Sequence, residues 1–211
     1  MKIVAIALAG GKSSRMGTDK ALLEIDGETL LAKVCHVASQ VTESVYVVVR
    51  SCEQYQAAIA SSEYISVVDR QLTGALVGFL QGLEVIAHTP DSINPDWILL
   101  LACDLPNLKN DVLKTWAAQL ADLPEDAIAY LPKHIARDQE LADGQIKSKQ
   151  WEPLCGFYRW ECQKSLMEFV EGGGRSFQKW LKTQQVIEIA KVDANILFNC
   201  NTVADLLWIK R

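Results

Sequence analysis

Three glycines and three cations crowd one short stretch of the chain: Gly10, Gly11 and Gly17 alternate with Lys12, Arg15 and Lys20. Glycines that follow an apolar run let the backbone turn tightly and present N–H groups, and nearby cations can meet phosphate oxygens. These residue types outline a polyphosphate site. Lys20 is spaced to return toward the glycines and neutralise a β- or γ-phosphate, and Arg15 can make a forked contact with neighbouring oxygens. Lys12 can equally well face water. The bland alternative is an ordinary glycine-rich loop joining strand to helix.

Two better-known phosphate motifs are excluded by spacing. Gly11-Lys12-Ser13 satisfies the end of a Walker loop, but the position of its first glycine holds Ile6. Gly10, Gly11 and Gly17 do not fit the G-x-G-x-x-G dinucleotide fingerprint either. Outside the opening loop, Asp104 follows the apolar run Trp97–Cys103. A carboxylate there can hold Mg²⁺ and so bridge phosphate oxygens, or it can make an Asx-turn or a cap. Asp69, after Ile65–Val68, can contact a ribose or metal, or close a simple strand-end turn. Asn199 and Asn201 can hold ligand or satisfy local backbone donors. No Ser-His-Asp or Cys-His arrangement is evident, and phosphoryl or nucleotidyl transfer needs no protein nucleophile.

The elements that must position these residues alternate along the first half. Strand-like runs at Ile3–Leu8, Val45–Val49, Ile65–Val68 and Trp97–Ala102 are separated by helical patterns at Thr29–Ser39, Ala75–His88 and Asp111–Leu120. That alternation argues a mostly parallel central sheet covered on both faces, a three-layer α/β/α architecture. In such a sheet, sites form at the carboxyl ends of the strands. Gly10–Lys20, Asp69, Asp104 and Asn199–Asn201 are expected to converge there. The second half reads as strands at Ala127–Leu131, Leu154–Tyr158 and Val186–Ala190, with helices at Glu161–Val170, Ser176–Leu181 and Thr202–Ile209.

Bulk properties narrow the class. The 211 residues, 49% of them hydrophobic, can bury one substantial core, so residues 1–211 are expected to form a single domain. A net charge of -5 without a basic stripe argues against nucleic acid as a partner. Lys133, Arg137, Lys147 and Lys149 can attract an anionic acceptor or simply edge a solvated loop. The six cysteines are scattered and read as reduced thiols, and the three histidines lack metal-ligand spacing. The opening apolar run is too short for a membrane span, which leaves a cytoplasmic protein as the expectation.

At these residues the chain resembles the molybdenum cofactor guanylyltransferases. The family pattern LAGG-x-S-x-RMG-x-DK-AL matches Leu8–Leu22 nearly throughout. Thr73–Gly78 resembles its glycine-leucine segment, with Ala75 where proline is more usual. Cys103-Asp104-Leu105-Pro106, Pro153–Tyr158, Gly174-Arg175-Ser176 and Phe198–Thr202 resemble its later motifs in order.

The resemblance implies a Rossmann-like nucleotidyltransferase fold that transfers GMP from Mg²⁺-GTP to the terminal phosphate of molybdopterin, with or without molybdenum, releasing pyrophosphate. It implies that Leu8, Ala9, Gly10, Gly11 and Asp69 hold the nucleotide. Arg15 and Lys20 would stabilise triphosphate charge, and Asp104 would position Mg²⁺. Arg175, Asn199 and Asn201 would organise the acceptor side. Residues 1–108 would then mainly bind nucleotide and residues 109–211 mainly face the acceptor. A monomer suffices for this site, with cofactor-insertion or recipient proteins as transient partners. The alternatives are a molybdenum cofactor cytidylyltransferase, a sugar-phosphate nucleotidyltransferase, and a GTP-binding cofactor chaperone without catalysis.

Overall fold

The computed structural model describes residues 1–9, 19–59, 64–89, 94–134, 150–200 and 205. Strand β1 (Ile3–Leu8) lies between β4 (Val45–Val49) and β6 (Trp97–Ala102), parallel to both. All three are continuous apolar runs, as strands buried on both faces require. β5 (Tyr64–Val68) adds in parallel beyond β4. On the other side β8 (Cys155–Arg159) runs antiparallel between β6 and β7 (Ala129–Pro132), and β9 (Val186–Ile189) closes the edge parallel to β7. The seven-stranded order is β5-β4-β1-β6-β8-β7-β9.

Side-chain alternation divides the core. Ala5, Ala7, Val47, Leu99 and Leu101 face one layer, where they meet Leu31, Val34 and Ala38 of α1 (Leu30–Ser39) and Leu113 and Trp116 of α4 (Asn110–Ala117). Val4, Ile6, Val48, Ile98 and Leu100 face the other. There they meet Leu76, Phe79 and Leu83 of α3 (Ala75–Ala87), Leu166 of α5 (Cys162–Glu171) and Trp180 of α6 (Phe177–Leu181). The result is a three-layer α/β sandwich with a mostly parallel sheet. Each large apolar side chain buried in it contributes about 1.5–3 kcal/mol.

An aromatic cluster fastens the second half to the first. Phe79 on α3 lies 5.0 Å from Tyr158 on β8, ring centre to ring centre, and Tyr158 stacks on Trp180 of α6 at 5.9 Å. The Tyr158 hydroxyl donates to the Pro153 carbonyl at 2.7 Å, tying the segment before β8 to the strand itself. Gly156 lets β8 approach β7: a Cβ there would sit 2.7 Å from both the Tyr130 carbonyl oxygen and Leu131 Cδ2. The expected glycine-leucine helix, Ala75–His88, ends one residue earlier, and the expected Asp111–Leu120 helix is α4 followed by a separate 3-10 turn at Leu120–Asp122. The expected terminal helix at Thr202–Ile209 lies outside the described residues except for Asp205, which is helical.

Two elements were not expected. A hairpin pairs β2 (Glu24–Ile25) with β3 (Glu28–Thr29) through Asp26 and Gly27, both at positive φ. Its Ile25 packs with Leu30 and Cys200, so it meets the terminal segment. The short helix α2 (Cys52–Tyr55) follows β4.

Candidate active site at the carboxyl edge of the sheet

β1, β4, β5 and β6 all end on one edge of the sheet, and β8, running the other way, begins there. A cavity of about 1040 Å³ opens at this edge. Leu8 and Ala9 at the end of β1, Asp69 after β5, Gly74 and Ala75 at the start of α3, and Asp104 after β6 line it. Trp151–Leu154, Arg175–Gln178 and Asn199 supply the wall from the second half. Backbone bonds knit these segments together: Ala9 N–H donates to Val48 at 2.9 Å, Cys103 N–H to Leu8 at 3.2 Å, and Ala102 N–H to Leu154 at 2.8 Å.

Lys20 and Asp104 face each other in the cavity, Nζ to Oδ2 at 4.0 Å, each side chain about one-fifth exposed. Lys20 opens a 3-10 turn that Asp19 caps, its Oδ1 accepting from Ala21 N–H at 3.0 Å. Asp19 Oδ2 accepts from Gln54 Nε2 at 2.9 Å and from the Tyr55 hydroxyl, so the turn is anchored to α2. The carbonyl of Asp104 accepts from Cys200 N–H at 2.9 Å, which docks the segment carrying Asn199 beside it. Next to Asp104, burial first and then the Asp104 and Asp19 charges push the Cys103 thiol well above its ordinary value. It stays protonated at neutral pH and supplies no thiolate nucleophile.

Asp69 is buried, and its Oδ1 accepts from Gln71 N–H, Leu72 N–H and Gln81 Nε2 at 3.0, 2.9 and 3.1 Å. It therefore makes the strand-end turn that was one of its two readings, while still lining the cavity. Gln81 completes the turn by accepting from Arg70 N–H at 3.1 Å. The turn delivers the chain to Gly74, whose φ of 114° suits glycine, at the N-terminus of α3. No side chain caps that helix, so its first N–H groups and positive dipole end stand at the cavity. Arg175 is exposed and donates to the Val170 and Gly174 carbonyls at 2.8 and 2.7 Å, closing the end of α5 at the cavity rim.

Leu8, Ala9, Lys20, Asp69, Asp104, Arg175 and Asn199 thus share one cavity. Gly10, Gly11, Arg15 and Asn201 lie outside the described residues, as do Arg137, Lys147 and Lys149. Lys133 is paired with Glu188. Among the described residues no cluster of three or more His, Cys, Asp or Glu side chains could cage a metal. One carboxylate ligand, such as Asp104, suits Mg²⁺, which keeps several waters and takes its other ligands from phosphate. Asp19, Gln81, Trp151 and Glu152 are site residues that the sequence reading did not single out; Asp19 was visible only as the neighbour of Lys20.

A mostly parallel sheet between two helical layers, with its cavity at the carboxyl edge, has the architecture of the nucleotidyltransferases. The model of the MobA-like NTP transferase domain matches residues 5–186. The chain belongs to that family and is a nucleotidyltransferase. It is 45% identical over 209 residues to a probable molybdenum cofactor guanylyltransferase of Trichormus variabilis, covering 99% of this chain and 90% of the relative. It is 30% identical over 207 residues to the molybdenum cofactor guanylyltransferase of Cupriavidus necator, covering 97% and 94%. The crystal structure of molybdopterin-guanine dinucleotide biosynthesis protein A from Archaeoglobus fulgidus superposes with a TM-score of 0.71 at 21% identity, covering 98% of this chain and 96% of that one. No helix among the described residues is long and apolar enough to cross a membrane.

Proposed function

We propose that the chain transfers GMP from Mg²⁺-GTP to the terminal phosphate of molybdopterin, forming the guanine dinucleotide cofactor and pyrophosphate. The observation that carries this reading is the facing pair Lys20 and Asp104. It stands between the exits of β1, β4 and β5 on one side and the start of β8 on the other. One flank accommodates the nucleotide and the other the acceptor, with the transferred phosphorus between them. The names of the relatives at 45% and 30% identity support the choice of acceptor and base.

An oxygen of the acceptor phosphate attacks the α-phosphorus of GTP. The new P–O bond forms as the bond to the bridging oxygen breaks, and pyrophosphate leaves with that electron pair. A phosphate monoester has a second pKa of about 6, so its attacking oxygen is already ionised at neutral pH and no general base is needed. Lys20 holds positive charge against the departing phosphates, and the proposal gives Arg15 of the opening motif the same role. Asp104 would hold Mg²⁺, which when bound draws negative charge off the phosphate oxygens. Among the described lining residues, Asp19, Asp69, Asp104 and Glu152 outnumber Lys20 and Arg175. A triphosphate entering there needs a divalent cation of its own. The N-terminus of α3, beyond the Asp69 turn, faces the nucleotide, and Asn199 and Arg175 border the acceptor. Pyrophosphate release from Mg²⁺-GTP that depends on added molybdopterin tests the reading; binding of GTP without such release would indicate a chaperone instead.

A further inference from the structure

The second-half wall of the cavity carries a carboxylate that phosphate chemistry does not explain. Glu152 lines the cavity, flanked in sequence by Trp151 and Pro153, which line it too. A bare anion beside a triphosphate would only repel it. Glu152 is nonetheless held in place. Beyond β7 and β8 the two chains continue as a short ladder: Glu152 N–H donates to the Pro132 carbonyl at 2.9 Å and His134 N–H to the Gln150 carbonyl at 3.0 Å. Across it, His134 Nδ1 meets Glu152 Oε1, with the two side chains only 12% and 22% exposed. An ionised carboxylate can only accept, so Nδ1 carries the proton. From the far side Gln178 clasps the strand, donating to the Trp151 carbonyl at 2.7 Å and accepting from Gln150 N–H at 2.9 Å. Among the described residues, no donor meets Oε2 of Glu152.

We propose that Glu152, oriented by His134, recognises the amino and ring N–H edge of the acceptor's pterin. This rests on the guanylyltransferase reading above and deepens it. A pterin carries a 2-amino group and an adjacent ring N–H, a pair of parallel donors that a carboxylate can accept. Guanine carries the same edge, so position must decide between them. β8 is separated from β1 by β6, and at about 4.8 Å per strand Glu152 starts roughly 10 Å from the β1 exit. The strands assigned to the nucleotide, β1, β4 and β5, lie on the far side of β6, the strand that ends at Asp104. Glu152 therefore belongs to the acceptor, whose heterocycle is several bonds removed from its phosphate. The apolar border of Trp151 and Pro153 lowers the local polarity and strengthens a hydrogen bond made there.

The test measures binding and turnover for the wild type, Glu152→Gln and Glu152→Ala, with thermal melts to show that each variant folds. A pterin monophosphate and the corresponding lumazine monophosphate, with a carbonyl in place of the amino group, are compared by calorimetry. GTP affinity is measured alongside. The wild type should prefer the pterin over the lumazine by roughly tenfold or more, as expected for a charge-assisted hydrogen bond. Both variants should lose that preference, raise the KM for molybdopterin by a similar factor, and leave GTP affinity within about twofold. A merely structural role for Glu152 would weaken both pteridines equally and overturn the proposal. Loss of GTP affinity instead would assign Glu152 to guanine and also overturn it. If the variants transfer GMP with an unchanged KM for molybdopterin, this inference falls and the functional reading stands. A folded wild type that transfers nothing to molybdopterin overturns both.

Discussion

The buried hydroxyl of Tyr55 on α2 donates to the carboxylate of Asp19, the residue that caps the turn presenting Lys20 to the cavity. Burial and that hydrogen bond push the Tyr55 hydroxyl well above its ordinary value, so it remains a donor throughout the physiological range. Tyr55 thus positions Lys20 through Asp19 without touching substrate. Tyr55→Phe should cost about 1 kcal/mol of stability, since it removes one of the two side-chain donors to the half-buried Asp19 carboxylate and leaves the Gln54 amide in place. It should also lower kcat more than it raises the KM for GTP. An unchanged kcat would show that the turn holds its shape without this bond.

Lys20 and Asp104 should be individually indispensable. Lys20→Ala is expected to lower kcat/KM by about 10²–10³-fold, the usual size of a lost preorganised charge contact. Asp104→Ala should reduce Mg²⁺-dependent turnover at least as far while circular dichroism stays native. Steady-state kinetics across a Mg²⁺ titration check both, and wild-type turnover by either variant would remove that residue from the mechanism.

Gly156 belongs to the Pro153–Tyr158 segment that resembles a family motif, and its role is steric. A Cβ would meet the backbone oxygen of Tyr130 at 2.7 Å, and backbone yields less readily than a side-chain tip. Gly156→Ala should therefore lower stability by about 1–3 kcal/mol, as overpacking usually does. A thermal melt with an unchanged Tm would show that β7 and β8 separate without cost.

The buried thiols set an alkaline limit. Burial raises Cys35 from 9.0 to about 12, and burial with the Asp205 and Asp104 charges raises Cys200 to about 11. Cys155 and Cys162 are pushed up further, chiefly by burial. A raised folded-state value means the stabilisation is fully present below the unfolded value and is lost as pH climbs from there through the folded one. Each such thiol should subtract about 1.4 kcal/mol per pH unit above roughly pH 9. Urea melts from pH 8 to 10.5 should show a steepening loss, and a flat profile would contradict the burial of these thiols. A thiol reagent at pH 8 should modify exposed Cys52 first.

How legible these features are in the sequence depends on what each element buries. β1, β4 and β6 occupy the residues of their apolar runs because both faces are covered and the runs are unbroken. The direction of β8 is different. Leu154–Tyr158 reads as a strand either way round, and only the pairing of β8 with β6 and β7 makes it antiparallel. The β2–β3 hairpin is too short for periodicity, and its signal was the Asp26-Gly27 pair, which favours a tight turn. The sites divide in the same way. Lys20 belongs to the opening motif and Asp104 follows an apolar run, so both are visible from the chain, whereas Glu152 gains its meaning from His134, 18 residues away across a ladder. Asp69 kept two readings in sequence, and its turn bonds became apparent only with Gln81 placed opposite on α3.

The most direct test of nucleotidyl transfer uses purified protein, Mg²⁺ and active molybdopterin, with GTP and CTP in parallel and the pterin product resolved by mass. A GMP adduct formed with stoichiometric pyrophosphate, and little or no CMP adduct, is the predicted result. A CMP adduct in preference to GMP would keep the chemistry but contradict the base assignment, and no adduct from folded protein would contradict the guanylyltransferase reading itself.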